Sequence, residues 1–181
     1  VINLAAQTFV DSSIDDSQPF FDTNVIGTLY VLEAVRSNKN TVKKVLHAST
    51  DEVFGESINS IFKETSCYNP RNPYSASKAA ADHILKSFGI TYEVPYNIVH
   101  FVNLYGPWQY PEKIIPRFIT LLLDSKKVPV YGTGQNIRSW LYVEDAVEGL
   151  VKVLTDAPLG ESYIIGSREE YTNIDLTHKL L

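Results

Sequence analysis

Short, continuous, β-branched runs alternate with stretches of helical spacing, and this alternation limits what the chain can fold into. The runs "VINLAA" (1–6), "KKVLHAS" (43–49), "YNIVHFVN" (96–103), "VPVYG" (128–132), "RSWLYV" (138–143) and "SYIIG" (162–166) read as strands. Between them, about Asp15 to Asn38 carries Phe21, Val25, Leu29, Leu32 and Val35 at helical intervals. Further helices are expected over Pro73–Phe88, Ile114–Asp124 and Glu144–Leu154, with a last one starting near Asn173. Strands without polar alternation are buried on both faces. Strands alternating with helices predict an α/β fold around a doubly wound parallel sheet.

The 181 residues suffice for one sizeable core and part of a second. A net charge of −5 argues against a nucleic-acid backbone as the main partner, which would need clustered Lys and Arg. No apolar run reaches the length of a membrane span and no signal peptide opens the chain, so no membrane partner is expected. The single cysteine, Cys67, excludes an internal disulfide and a cysteine-built zinc site, and suits a reducing, cytoplasmic setting. Methionine is absent and "VINLAA" opens in mid-strand, as expected of an internal piece of a longer protein.

Open parallel sheets bind ligands outside the carboxyl ends of their strands. Three strands end in polar residues: Gln7 and Thr8 after the first, Ser49 to Glu52 after the second, and Asn103 after the third. Parallel neighbours would bring these to one rim. In a regular strand Asp51 and Glu52 would face opposite ways. In a turning backbone just past the strand end, they share a site.

The segment "NPYSASK" (72–78) adds a second element. Asn72 suits an N-cap and Pro73 the first helical position. Tyr74 and Lys78, four apart, share one helix face. An ammonium and a positive helix start both favour phenolate, so Tyr74 is a candidate base near neutral pH. His47 and His100, within strands, read as core residues rather than metal ligands, and no metal set is expected. Trp108 to Tyr110 suit either the wall of a ligand site or ordinary packing.

Thr50 at a strand end with Tyr74-x-x-x-Lys78 resembles the active-site trio of the short-chain dehydrogenase/reductase superfamily. "LAAQT", "TNVIGT", "STDEVFG", "NPYSASK", "LYGPWQYPEK", "PVYGTGQNIRSWLYVED" and "SYIIGS" follow the order of its extended branch. More narrowly, the whole chain is similar to the nucleoside-diphosphate-glucose 4,6-dehydratases that act on dTDP-glucose or UDP-glucose. The resemblance implies a partial Rossmann-like NAD-binding domain over 1–107 and a partial sugar-nucleotide-binding α/β region over 108–181, interleaved with it. It implies NAD as cofactor, and Tyr74 taking the C4 hydroxyl proton, with Lys78 on the nicotinamide ribose and Thr50 on the C4 oxygen. Glu52 would remove the C5 proton and a protonated Asp51 would serve the departing C6 hydroxyl. Neighbouring carboxylates push their pKa values apart, as this division demands.

The same resemblance puts Leu4, Ala5, Ala6, Gln7, Thr8, Thr23, Asn24, Ser49, Tyr74 and Lys78 along the cofactor. Thr8, Thr50, Asn103, Lys113, Ile114, Pro129, Val130, Tyr131, Arg138 and Asn173 fall on the substrate. A guanidinium fork at Arg138 suits a diphosphate; its plainer alternative is a salt bridge to Glu144 or Asp145. The resemblance further implies a homodimer through the 15–38 and 73–88 helices, whose apolar residues, including Ile26, Tyr30 and Ala79 to Ala81, exceed one face.

Three departures stand out. Phe54 replaces a commoner tyrosine, and Leu104 replaces a second asparagine. No glycine-rich phosphate-binding turn occurs, since "GTG" (132–134) follows the wrong elements. The rival readings are a sugar-nucleotide 4-epimerase or decarboxylase, which would not need adjacent acids, and a non-catalytic sugar-nucleotide-binding scaffold.

Overall fold

A computed structural model describes residues 1–56 and 61–181. In chain order the first elements are β1 (Ile2–Asn3), α1 (Val10–Asp15), α2 (Gln18–Phe20), a π-helical turn (Phe21–Ile26), α3 (Gly27–Ser37) and β2 (Val45–Thr50). A 3₁₀ turn (Asp51–Phe54), α4 (Pro73–Tyr92), β3 (Tyr96–Phe101), β4 (Asn103–Tyr105) and α5 (Ile114–Leu123) follow. The chain closes with β5 (Ile137–Tyr142), α6 (Val143–Asp156), β6 (Ser162–Ile165), β7 (Glu170–Thr172) and α7 (Asn173–Leu180). Packing divides it into two units, Val1–Phe101 with Gly149–Ile165, and Val102–Glu148 with Gly166–Leu181.

The first unit is the parallel α/β sheet that the alternation requires, in the order β1-β2-β3-β6 with every pair parallel. Neighbouring residues of a strand face opposite ways, and both faces of β2 are apolar. Val45 packs with Leu32 of α3, Leu85 of α4 and Ile98 of β3. Leu46 packs on the other face with Val99, Leu150 and Val153. Each such side chain, fully buried, contributes about 1.5–3 kcal/mol of transfer free energy. The second unit carries a smaller sheet in which β5 pairs parallel with β4 and antiparallel with β7.

Several sequence expectations shift. "YNIVHFVN" is not one strand: β3 ends at Phe101, and Asn103 opens β4 in the other sheet. A β-branched run reports strand propensity but not which partner each residue takes. "VPVYG" forms no strand, because Pro129 lacks an N–H and Gly132 and Gly134 turn at φ of 56° and 68°. β1 is only two residues long, and the chain beyond it is bonded elsewhere. The helix expected from Asp15 begins at Gln18, behind a separate α1, and contains the π turn. Asn72 caps α4 as expected: its side chain accepts from the Ser75 N–H, and Ser75 reciprocates in a capping box. Among the described residues no helix is long and apolar enough to cross a membrane.

Candidate active site

The opening residues of α4 and the end of β2 meet in the first unit. Thr50 ends β2, and its hydroxyl accepts from the Glu52 N–H, capping the 3₁₀ turn that begins at Asp51. That turn answers the strand-parity objection: both acids leave the regular strand and are half-buried together. Gly55 closes it at φ 87°, where a Cβ would lie 2.5 Å from the Asn69 carbonyl oxygen. Only glycine fits there, and Asn69 in turn donates to the Val53 carbonyl at 2.8 Å.

Tyr74 sits in the first turn of α4 and is 8% exposed. Its hydroxyl hydrogen-bonds with Thr50. Its ring meets Phe20 edge-on, and its N–H donates to the buried Ser13 hydroxyl of α1 at 3.2 Å. One turn on, Lys78 is buried and donates to the Ala48 carbonyl at 2.7 Å. The expected lowering of the Tyr74 pKa is not found here. Burial and then the Glu52 charge push the phenol above its usual range, outweighing the Thr50 hydrogen bond. Lys78 is aimed at β2, and burial lowers its own pKa to about 8 against the opposing charge of Asp82.

Two connections escaped the sequence. The Asn72 amide donates to Glu52 Oε2 at 3.1 Å, so the helix cap also holds the candidate base. The π turn places the buried Asn24 between two elements. Asn24 Oδ1 accepts the Gln7 N–H at 2.8 Å, while Nδ2 donates to the Gln7 carbonyl at 3.0 Å and to Ser77 Oγ at 2.8 Å. Both amide hydrogens are engaged within the chain, so Asn24 fixes the loop after β1 rather than offering donors outward.

Beneath this rim lies a buried polar cluster. Asp82 Oδ2 accepts from Ser49 Oγ at 2.7 Å and from the Tyr68 hydroxyl at 3.1 Å, and lies 3.2 Å from His100 Nε2. His47 Nε2 lies 3.6 Å from Asp82 Oδ1. His47 and His100 are core residues, but they share this carboxylate. Burial and the Lys78 charge lower the His47 pKa to about 3. Burial opposes ionisation of Asp82, yet the His100 and Ser49 hydrogen bonds and the neighbouring imidazoles hold it below the carboxylate range. The signal was present in "KAAAD": an acid one turn beyond Lys78 on the inward face.

The resemblance implies NAD, and the residues present offer it a partial fit. Lys78 has three N–H donors, of which the Ala48 carbonyl takes one, leaving two for a pair of hydroxyls. Leu4, Ala5, Gln7 and Thr8 are exposed on the rim and Ala6 and Thr23 are half-buried, whereas Ser49 is buried and bonded to Asp82. No segment offers a glycine-rich cradle for a pyrophosphate.

The second unit gathers most of the remaining candidates. Lys113 occupies the N-cap position of α5, without a side-chain cap hydrogen bond, and Ile114 opens the helix. Arg117, one turn on and not anticipated, donates to the Tyr131 hydroxyl at 3.3 Å. The Pro129–Val130–Tyr131 loop is tied to α7: Gly134 donates to the Tyr131 carbonyl, Ile174 to the Gly134 carbonyl, and Asn173 to the Asn136 carbonyl. Gly134 permits the approach, since a Cβ there would lie 3.1 Å from Ile174 Cβ as well as 2.8 Å from Val130 Cγ1. Arg138 is exposed on β5 and donates to the Ile137 carbonyl, and no ion pair to Glu144 or Asp145 is found among the described residues. Asn103 lies on β4 in this unit, not on the rim of the first sheet, and donates weakly to the Ser139 carbonyl at 3.4 Å.

A family model described as GDP-mannose 4,6 dehydratase matches residues 1–180. A dTDP-D-glucose 4,6-dehydratase from Dictyostelium discoideum is 43% identical, over 100% of this chain and 44% of that protein. Among solved structures, DesIV, a dTDP-glucose 4,6-dehydratase from Streptomyces venezuelae with NAD and TYD bound, superposes with a TM-score of 0.97 at 40% identity. That match covers 99% of this chain and 55% of DesIV. A UDP-glucuronic acid 4-epimerase from Bacillus cereus, in complex with UDP-glucuronic acid and NAD, gives a TM-score of 0.90 at 28% identity, over 98% of this chain and 56% of the other. The chain thus spans about half the length of the relatives it matches. With the matched model running from end to end over the sheet, the Thr50 turn and the Tyr74–Lys78 helix, this chain belongs to the GDP-mannose 4,6 dehydratase family.

Proposed function

We propose that the complete protein converts a nucleoside-diphosphate-glucose, dTDP-glucose in the first instance, to its 4-keto-6-deoxy sugar. The observation that carries this reading is the 3₁₀ turn that sets Asp51 and Glu52 side by side next to Thr50, which is bonded to Tyr74. A proton abstraction and a hydroxyl departure on adjacent carbons need two acid–base groups, beyond the one that oxidation needs. Bound NAD supplies the hydride acceptor for C4 and the hydride donor for C6.

The chain's own residues do the rest. Tyr74 receives the C4 hydroxyl proton and Thr50 holds that oxygen. The Lys78 ammonium offers its remaining donors to the ribose hydroxyls and its charge to the phenolate. Glu52, oriented by Asn72, takes the C5 proton, and Asp51 protonates the C6 hydroxyl as it leaves as water. In the first unit Leu4, Ala5, Ala6, Gln7, Thr8, Thr23 and Ser49 line or support the cofactor, with Asn24 holding Gln7 in place. In the second, Asn103, Lys113, Ile114, Pro129, Val130, Tyr131, Arg138 and Asn173 hold the sugar nucleotide. The domain roles, 1–107 for cofactor and chemistry and 108–181 for substrate, follow from this assignment. That the dehydratases similar to this chain at 40–43% identity are described by dTDP-glucose supports the thymidine nucleotide. We place the protein in the cytoplasm, where an exposed free Cys67 stays reduced, and as a homodimer through the 15–38 and 73–88 helices.

The test is incubation of the complete protein with NAD and dTDP-glucose, followed by alkali. A 4-keto-6-deoxy sugar gives ultraviolet absorbance, a 4-epimerase gives galactose, and a scaffold gives neither. In Glu52→Gln, NADH should form and persist because elimination stops. In Tyr74→Phe it should not form at all. Dehydration at the parental rate by Glu52→Gln would overturn the reading.

A further inference from the structure

We propose that Asp82 is a positioning residue of this site: the buried counter-charge of the Lys78 ammonium, which also locks α4 against the end of β2. The inference deepens the reading above and rests on it for its link to catalysis. Asp82 follows Lys78 by one helical turn, so the two side chains share the inward face of α4, with Cβ atoms about 5–6 Å apart. Their grips on β2 are consecutive. Lys78 donates to the Ala48 carbonyl and Asp82 accepts from Ser49 Oγ. The next residues are Thr50, Asp51 and Glu52. One helix face thereby fixes the height of Tyr74 relative to the turn that carries both acids.

Charge requires the same partner. Lys78 is 3% exposed and Asp82 fully buried. An isolated ammonium at that depth sheds its proton rather than bear the desolvation cost. Among the described residues packed around Asp82, none is a second anion. From β2 comes His47, which is neutral at pH 7. From β3 comes His100, and from the segment before α4 comes Tyr68, with the Lys86 ammonium 3.4 Å from its hydroxyl. Tyr74 feels Asp82 through space but keeps its own proton. Asp51 and Glu52 act on Tyr74 from the rim. Asp82 is therefore the carboxylate that keeps Lys78 charged where a phenolate must be stabilised. The mechanism assigned above leaves Asp82 otherwise unused.

Lysine side-chain nitrogen shifts, followed against pH in the complete protein without substrate, read this directly. In Asp82→Asn the Lys78 midpoint should fall by about one pH unit or more, and the basic limb of C4 oxidation should move with it. In Tyr68→Phe, which removes a donor from the carboxylate but not its charge, the midpoint should stay. An unchanged Lys78 midpoint in Asp82→Asn, or equal movement in both variants, overturns the proposal. Should Asp82→Asn fail to fold, the parental protein still decides: the Asp82 carboxyl carbon should step at the Lys78 midpoint, and a flat response overturns it. Because the titration needs no turnover, it stands apart from failure of the dehydratase reading, which the product assay alone decides.

Discussion

Asn72 has two duties that substitution separates. Its Oδ1 caps α4 by accepting the Ser75 N–H at 2.8 Å, and its Nδ2 holds Glu52 Oε2 at 3.1 Å. Asn72→Ala removes both. Loss of an N-cap costs about 1 kcal/mol, which in a domain of this size lowers the melting midpoint by about 2–4 °C. Asn72→Ser keeps a good cap and the capping box, so its midpoint should stay within about 2 °C of the parent. Both variants lose the donor to a carboxylate, a bond worth about 1.5–3 kcal/mol when well buried. Glu52 is half-buried, so the lower end applies, and elimination should slow about tenfold. Asn72→Asp keeps the cap but sets a second carboxylate against Glu52, and should slow elimination further. Circular dichroism melts give the first quantity. Single-turnover traces with dTDP-glucose, in which NADH rises during oxidation and decays only after elimination, give the second. Parental NADH decay in Asn72→Ser, or losses in all three variants that track their melting midpoints, would refute the link between cap and base.

Three further outcomes follow from the same geometry. His47 has its pKa lowered to about 3, so as pH falls below about 6.5 the unfolded state takes up a proton that the folded state refuses. Stability should drop progressively from there toward pH 3, while the Asp82 contribution is lost only below about 3.8; thermal melts of His47→Gln should therefore be flatter between about pH 6.5 and 4, and a parallel slope would remove His47 as the cause. Gly55→Ala meets both a positive φ and the Asn69 carbonyl, so it should cost about 1–3 kcal/mol and slow elimination by displacing the 3₁₀ turn; denaturant midpoints and the product assay check it, and an unchanged midpoint would refute the tight approach. For the dimer, Ala79 and Ala81 are buried in the core of their own unit, whereas Tyr30 is 69% exposed and Ile26 39% exposed. Within the interface proposed through the 15–38 and 73–88 helices, the Ile26–Tyr30 edge is accordingly the apolar part to test, and Tyr30→Arg should shift sedimentation from dimer to monomer; an unchanged dimer would sink it.

Local order was legible because local physics sets it. The period of apolar residues marked α3 to α6 and the parallel strands, and Asn72-Pro73 marked where α4 starts, since capping involves residues three apart. The adjacency of Asp51 and Glu52, and the four-residue spacing of Tyr74 and Lys78, are likewise written in the chain. Tertiary structure decided what depends on partners distant in sequence. Asn72 reaches Glu52 across 20 residues, Asn24 reaches Ser77 across 53, and Ser49 reaches Asp82 across 33. No periodicity encodes such pairings, because a short polar side chain looks the same in sequence whether it caps, clamps or faces water. The break between Phe101 and Asn103 was hidden for a related reason: β propensity reflects a pleated surface to pack on, and two different sheets satisfy it equally. For Tyr74 the sequence points to a shift opposite to the one the fold produces. Proximity to Lys78 was readable from the spacing, but the depth of burial and the aim of the ammonium at Ala48 exist only once β2 and α4 are packed together.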